Sequence, residues 1–512
     1  MKSFGRLLRT YIERSGYTNY GIAQKAAVNR TTLQKVLADE RTPSPEFMKH
    51  ILPLLKLTPE ESYNFMSVFE MLQTGETLFS QRQYIKQIFE CIPGINQKIL
   101  DKRTVSFQKN YCAHDNVFTK PELYHGRYEV ENLLSDLLVR ECASSSPSLR
   151  INVPANMNLF KQIFIQTIRH CPDSHKLVVQ HLTCFLKSEG FYPPPPNLIK
   201  PSSAQTKHAN SRLHNAPNIR ENLDILANTL PFLSSTAFHY EVYYYYDNFI
   251  MTDDKRTAFP YYVLYNDTVV FLSADCNTAL PFQNSGLHDF FNNLFEAALQ
   301  NSNPFTVSCS TPEDALCHLI EMDMENRPFY SLEYQPCFAS YLNEKLIQTY
   351  AKPDIMHYAE IIEMVNHRVM QLKKLDFHVS IFSKSGLINF AETGFIDDFP
   401  REYINSFSVR DRIALLEKLY EDISSDTHAH RLVNPLIFPI SRNFVCHLHQ
   451  DIGLDFNFYE LNGGLYCYIH IIERTLLEAF FDFFQYMTTS SLVCSREDTL
   501  SAIRQCIEEL KN

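Results

Sequence analysis

The chain has 512 residues, 45% of them hydrophobic and 21% charged, which are the proportions of a folded protein and exclude a disordered one. Its thirteen cysteines are scattered without a Cys-x-x-Cys pair, so neither a zinc ribbon nor a secreted disulfide framework is expected. No window approaches the ~20 apolar residues of a membrane span, and the opening MKSFGRLLRTYIERSG is amphipathic, so a cytoplasmic location without membrane association is the default expectation.

The net charge of −11 is unevenly divided. Residues 1–50 carry nine Lys and Arg against four acids, a balance of +5, so the other 462 residues carry −16. Only the first part can approach phosphate closely.

Phe4, Leu7, Leu8, Tyr11 and Ile12 recur at helical spacing and predict a first helix that Gly16 ends. The stretch Asn19–Val36 then predicts two short helices, Tyr20–Ala26 and Arg30–Ala38, crossing at a tight turn. Ala23, Ala27, Val28, Leu33 and Val36 fall where such helices must touch, and Asn29 stands where a short polar side chain caps the second. Arg30, Thr31, Thr32, Gln34 and Lys35 form its polar face. Ser44 before Pro45 starts a fourth helix, and Thr58, Pro59 and Glu61 form a capping box for a fifth.

Residues 1 to about 72 resemble the Cro/C1-type helix-turn-helix domains, also called the XRE family. The resemblance is carried by Ala23, Ala27, Val28, Leu33 and Val36 and by the tail RTPSPEFMKHILPLLKLTPEE. It implies a five-helix all-α domain that binds double-stranded DNA, with the third helix in the major groove. Arg30 or Lys35 would meet guanine, Gln34 adenine and the threonine methyls thymine. Asn29 lies at the start of the same helix, and Arg41, in the following loop, would contact phosphate. Ala27 departs from the family's usual glycine, which alanine can replace where the backbone stays out of the left-handed region.

Residues 76–120 read as a helical connector, with Gly75 separating two helices and Pro93-Gly94 stopping the second. Its apolar stripe, which includes Ile85, Ile88 and Phe89, would serve equally to pair with a second copy or to dock on the following domain. The mixed α/β remainder divides into 121–300, with a Pro-rich loop at about 190–218, and 301–512. Tyr128–Arg140 and Asn158–His170 read as helices; Leu149–Val153, Lys176–Phe185 and Glu241–Tyr246 read as strands. Asn266-Asp267 joins a hairpin of Tyr261–Tyr265 and Thr268–Ser273, followed by a helix over Leu287–Leu299. The order recurs in Phe456–Glu460, a turn at Asn462-Gly463-Gly464, Leu465–Ile472 and a helix over Thr475–Met487, which suggests a duplicated α/β unit. Between them lie a helix over Asp354–Lys373 and a hairpin over His378–Ala391 around Ser385-Gly386, and Ser495 caps the last helix.

This paired arrangement resembles the phospholipase D-like hydrolases in strand order alone. Their His-x-Lys motif is absent, as are the P-loop, GxGxxG and GxSxG. No catalytic residue, metal or cofactor is therefore assigned. Cys171, His175, His181 and Cys184, like Cys446, His447 and His449, lack ligand spacing, and alternation along a strand would split them between faces. Asp354, His357, Glu360, Glu363 and His367 read as a solvated helix face, and the tyrosines at 243–246 as two faces of a buried strand.

The expectation is a transcriptional regulator, a homodimer on DNA, whose large part senses a small molecule, peptide or protein or assembles subunits. Alternatives are an antitoxin-like autoregulator and, more remotely, a DNA-binding module fused to a hydrolase.

Overall fold

Short polar side chains start the first helices where the sequence places them. The computed structural model describes residues 3–100, 122–168, 176–186, 219–235, 237–247, 258–324, 327–397, 399–425, 430–459 and 466–512. Its first helices are α1 (Phe4–Ser15), α2 (Asn19–Lys25), α3 (Arg30–Leu37), α4 (Pro45–Ile51), α5 (Pro59–Thr74) and α6 (Glu76–Leu100). Asn29 Oδ1 accepts from Thr31 N–H at 2.8 Å, and Ser44 Oγ from Phe47 N–H at 3.1 Å. Thr58 and Glu61 exchange side chain-to-backbone bonds at 3.2 and 3.0 Å, the reciprocal box that satisfies two orphan donors.

The helices α1 to α5 close on one apolar core. Phe4 stacks on Phe65 with centroids 4.8 Å apart, and Leu8, Ile12, Ile22, Leu33 and Val36 fill the space between them. At Gly5, α1 comes so near α3 that a Cβ would lie 2.6 Å from Leu37 O. The Gly5 N–H donates to Asp39 Oδ1 at 2.7 Å, which ties the end of α3 to α1.

The turn between α2 and α3 departs from expectation. Ala27 has φ +53° and is exposed, whereas the expected core position beside it is held by buried Ala26 and half-buried Val28. Val28 N–H reaches back to Ala23 O at 2.9 Å, the bond of a helix end whose next residue is left-handed. An alanine there carries a steric cost that glycine does not. Ala27→Gly is therefore expected to stabilise the N-terminal unit by about 1 kcal/mol, read as a higher urea midpoint with unchanged slope.

One compact unit runs over Met1–Tyr84; a second takes in Ile85–Ser188 and Ile219–Asn512. The second unit holds two sheets. The first uses β1 (Tyr124–His125), β2 (Ser148–Asn152), β3 (Val178–Leu186), β4 (His239–Asp247), β5 (Tyr261–Leu264), β6 (Val269–Leu272), β7 (Thr278–Phe282) and β8 (Asn303–Pro304). Its helices are α7 (Arg127–Cys142), α8 (Leu159–Thr167), α9 (Arg220–Leu233) and α10 (Ser285–Gln300). The second sheet uses β9 (Thr306–Cys309), β10 (Phe329–Glu333), β11 (His378–Phe382), β12 (Arg431–Leu432), β13 (Phe444–His449), β14 (Gly453–Tyr459) and β15 (Tyr466–Ile471). Around it lie α11 (Pro312–Glu321), α12 (Glu344–Tyr350), α13 (Tyr358–Lys373), α14 (Lys384–Thr393), α15 (Val409–Ser424), α16 (Arg474–Thr489) and α17 (Arg496–Lys511).

The sheets share their connectivity. In order they read β1-β7-β6-β5-β2-β3-β4-β8 and β12-β11-β10-β13-β14-β15-β9. Each has three parallel strands (β2, β3, β4; β10, β11, β12), then an antiparallel meander (β5, β6, β7; β13, β14, β15). An edge strand, β1 or β9, pairs antiparallel with the last meander strand, and α10 or α16 follows it. This repeat is the expected duplication moved by one strand: β14–β15 matches β6–β7, not β5–β6. The hairpin β5–β6 forms as expected, with Val263 opposite Val270.

The expected subdomains 121–300 and 301–512 are thus the two halves of one compact unit. They meet at Phe305, buried between β8 in the first sheet and β9 in the second. Asn222 Nδ2 donates to Thr475 Oγ1 at 2.8 Å, and Thr475 Oγ1 donates to Glu473 Oε2 at 2.6 Å. Tyr246 OH reaches the other oxygen of the same buried carboxylate at 2.6 Å. These bonds join the halves.

Three further expectations are corrected. The backbone of α6 continues through Pro93 and Gly94, since a proline removes one donor while the turns either side keep theirs. Within it Phe89 packs among Phe438, Phe444, Phe480 and Phe483, so this face is used inside the chain and not for pairing with a second copy. The hairpin expected at His378–Ala391 is β11 followed by α14. Ser383 Oγ accepts from Gly386 N–H at 2.8 Å, so the Ser-Gly region is a helix start and not a turn. The helix expected from Asp354 begins at Tyr358, and Ser495 caps α17 through Asp498 N–H at 3.0 Å. Residues 101–120 of the connector, the Pro-rich loop at about 190–218 and the turn at Asn462-Gly463-Gly464 lie outside the described residues.

Candidate nucleic-acid interface

The helix α3 sorts its residues by face. Leu33, Val36 and Leu37 are buried against α1 and α2, while Arg30, Thr31, Gln34 and Lys35 are exposed and Thr32 is half-buried. Of the expected helix-turn-helix core, Ala23, Leu33 and Val36 are buried, Val28 packs at its rim and Ala27 is outside it. Asn29 is exposed at the N-terminus, its amide oxygen taken by the cap, so only the amide nitrogen remains for other contacts. Arg41 is exposed in the segment after α3.

Other cations of this unit have structural work. Arg14 makes a two-pronged pair with Glu61, both contacts 2.6 Å, joining α1 to α5. That pair, with the Thr58 backbone bond, holds the Glu61 carboxyl down to about 2. Lys25 reaches Tyr17 OH at 3.0 Å, and Arg9 covers Leu37 O at 3.3 Å. Asp39, the acid nearest the end of α3, is turned inward to Gly5. Arg30 and Lys35 are thereby left on the open face.

One neighbour was not legible beforehand. Tyr20 on α2 is 62% exposed, and the Arg30 guanidinium sits 6.0 Å from its ring centroid. The only available signal was an aromatic residue on the polar side of α2. A ring there limits where the Arg30 fork can point.

The other candidate clusters separate. His181 is buried, with Nδ1 2.7 Å from Tyr240 OH and Nε2 2.7 Å from Val153 O. Burial pushes this imidazole down to about 4, so it is a neutral, fully bonded core residue. Cys184 is half-buried nearby, and Cys171 and His175 lie outside the described residues. Asp354, His357, Glu360, Glu363 and His367 are all exposed. The tyrosines of β4 divide as a strand requires: Tyr244 packs on Phe185 with centroids 5.0 Å apart, and Tyr245 is exposed. On β13, Cys446 points one way, whereas His447 and His449 share the other face with Asp455 of β14. Among the described residues no helix is long and apolar enough to cross a membrane.

No protein-family model matches the chain, and no curated protein sequence does. Among solved structures, the archaeal chromatin protein TrmBL2, described as showing a novel mode of DNA binding, is similar over 59% of this chain and 100% of its own, at 10% identity and a TM-score of 0.20. Phosphatidylserine synthase of Haemophilus influenzae Rd KW20 is similar over 82% of this chain and 98% of its own, at 10% identity and a TM-score of 0.21. At such scores neither likeness bears on the function of this chain.

Proposed function

We propose that the chain is a sequence-specific DNA-binding transcriptional regulator of the Cro/C1 type. The observation that supports this most is the division of α3 into a buried apolar face and an open face of Arg30, Thr31, Gln34 and Lys35, on a head with a balance of +5. A capped, rigid helix with such a face suits the major groove, where guanidinium, ammonium and carboxamide groups meet base edges. Arg41 and Arg6, both exposed, would contact phosphate. The acidic second unit is repelled by DNA and acts as the sensing or assembly region rather than as a catalyst. Two copies would occupy half-sites about 34 Å apart, joined through a surface other than the buried face of α6.

The test is selection of bound sequences from random duplexes with the full chain, then titration of the enriched site at several salt concentrations. Enrichment of one motif and a log–log salt slope of about −3 to −6 are expected. No enriched motif, or a flat salt dependence, overturns the reading.

A further inference from the structure

A row of polar side chains crosses the middle of the second sheet on the face away from α16. Ser331 of β10 stands opposite His447 of β13, His447 opposite Asp455 of β14, and Asp455 opposite His470 of β15. His449 lies two residues from His447 and therefore on the same face. The matching face of the first sheet's meander is built from Tyr261, Val263, Val270, Leu272 and Ala279, all buried. The fold therefore does not need polar groups here, and burying them costs free energy that apolar residues would not.

The geometry points to a divalent transition-metal site, zinc foremost, made by His447, His449 and Asp455. One ligand atom from each lies within 4.8 Å of the others. A point equidistant from three atoms so spaced is about 2.8 Å from each (4.8 Å divided by the square root of three), so shifts under about 1 Å bring all three to zinc distances. His449 Nε2 faces Asp455 Oδ2 at 3.2 Å, and its Nδ1 is buried without a hydrogen-bond partner.

The surroundings have the form of a supporting shell. His470 Nδ1 contacts Asp455 Oδ1 at 2.6 Å, fixing the carboxylate so that Oδ2 faces the histidines. Gly453 makes room for it, since a Cβ there would stand 1.9 Å from the His470 ring. Glu333 Oε1 lies 3.4 Å from His447 Nε2, near enough for a small shift to make the carboxylate–imidazole pairing that orients metal-bound histidines. The buried Arg368 guanidinium also acts on Asp455. Two imidazole nitrogens and one carboxylate suit a borderline cation better than a hard one that needs several anionic oxygens. His447 provides access: its side chain is 19% exposed, against 1% for His449 and Asp455.

Full-length protein stripped with a chelator and titrated with Co2+ tests this without reference to DNA. One equivalent should bind, with the visible bands of a nitrogen–oxygen site, no thiolate-to-cobalt absorption, and displacement by Zn2+. His447→Ala and the isosteric Asp455→Asn should each weaken binding on the order of 100-fold, and Cys446→Ala should not. The far-ultraviolet circular dichroism and melting of metal-free His447→Ala should match the parent. Absence of binding, binding unchanged in both ligand variants, or a thiolate band would each overturn the assignment.

Discussion

Replacing both Arg30 and Lys35 with alanine is expected to abolish specific DNA binding while leaving the protein folded. Neither side chain contributes to the apolar core, which Leu33, Val36 and Leu37 supply from the other face of α3. Alanine also favours a helix interior, so stability should move by no more than about 0.5 kcal/mol. A two-pronged base contact gives about 1–3 kcal/mol of discrimination. Losing two such contacts costs about 2–6 kcal/mol, which corresponds to roughly 30-fold to 10⁴-fold in affinity. Weak binding through Arg6 and Arg41 should persist at low salt and be indifferent to sequence. Fluorescence anisotropy on the selected duplex and on a scrambled one, at a single salt concentration, measures both quantities. If the double variant still prefers the selected duplex by the parental margin, α3 is not the reading helix.

Gly386→Ala is expected to have the largest effect on stability. Gly386 sits in the first turn of α14, over the chain that leaves β10. A Cβ at this position would lie 1.7 Å from Tyr334 O and 2.8 Å from Gln335 N, both backbone atoms with no rotamer to yield. The same carbonyl accepts Ser383 N–H at 3.1 Å and Ser383 Oγ–H at 2.8 Å, so moving it disrupts the cap of α14 as well. Overpacking a tight site usually costs about 1–3 kcal/mol, and a clash with fixed backbone belongs at or above the top of that range. Gly286→Ala is the matched control. There the nearest atom to a Cβ is Asn284 Oδ1 at 3.6 Å, ordinary contact, and alanine favours the helix by up to about 1 kcal/mol. Thermal unfolding followed in the near ultraviolet should show Gly386→Ala melting well below the parent, with Gly286→Ala at or slightly above it. Equal melting of the two variants would mean that α14 does not lie on β10 as described.

What could be read from sequence was whatever is written locally. Asn29, Ser44 and Thr58 cap helices because a short polar side chain reaches only its own neighbouring N–H groups. The hairpin at Asn266-Asp267 is equally local. Ser385-Gly386 misled because Ser-Gly suits a turn and a helix start alike, and only the Tyr334 carbonyl, some fifty residues earlier, decides between them. Ala27 misled in the opposite sense, because residue type alone did not reveal a left-handed backbone. The row His447, Asp455 and His470 was invisible because its members come from three strands, and alternation along one strand cannot show what the next strand places opposite. The residues proposed to face DNA sit on a single helix, so one stretch of sequence holds them all; Tyr20 could not be named beside them, since its nearness to Arg30 depends on how α2 crosses α3.

The buried carboxylate of Glu473 has a practical meaning for anyone wishing to cut this protein into pieces. The midpoint near Phe305 looks like the natural place to divide a duplicated unit. Yet Glu473 starts α16 in the second half while accepting a bond from Tyr246 in the first, and Asn222 of the first half donates to Thr475 of the second. A fragment ending at 300 would lose the hydroxyl that its Asn222 bonds, and one beginning at 301 would keep a carboxylate deprived of a donor. The two halves share one strand connectivity yet complete each other's buried hydrogen bonds, so expression of either half alone should give an insoluble product.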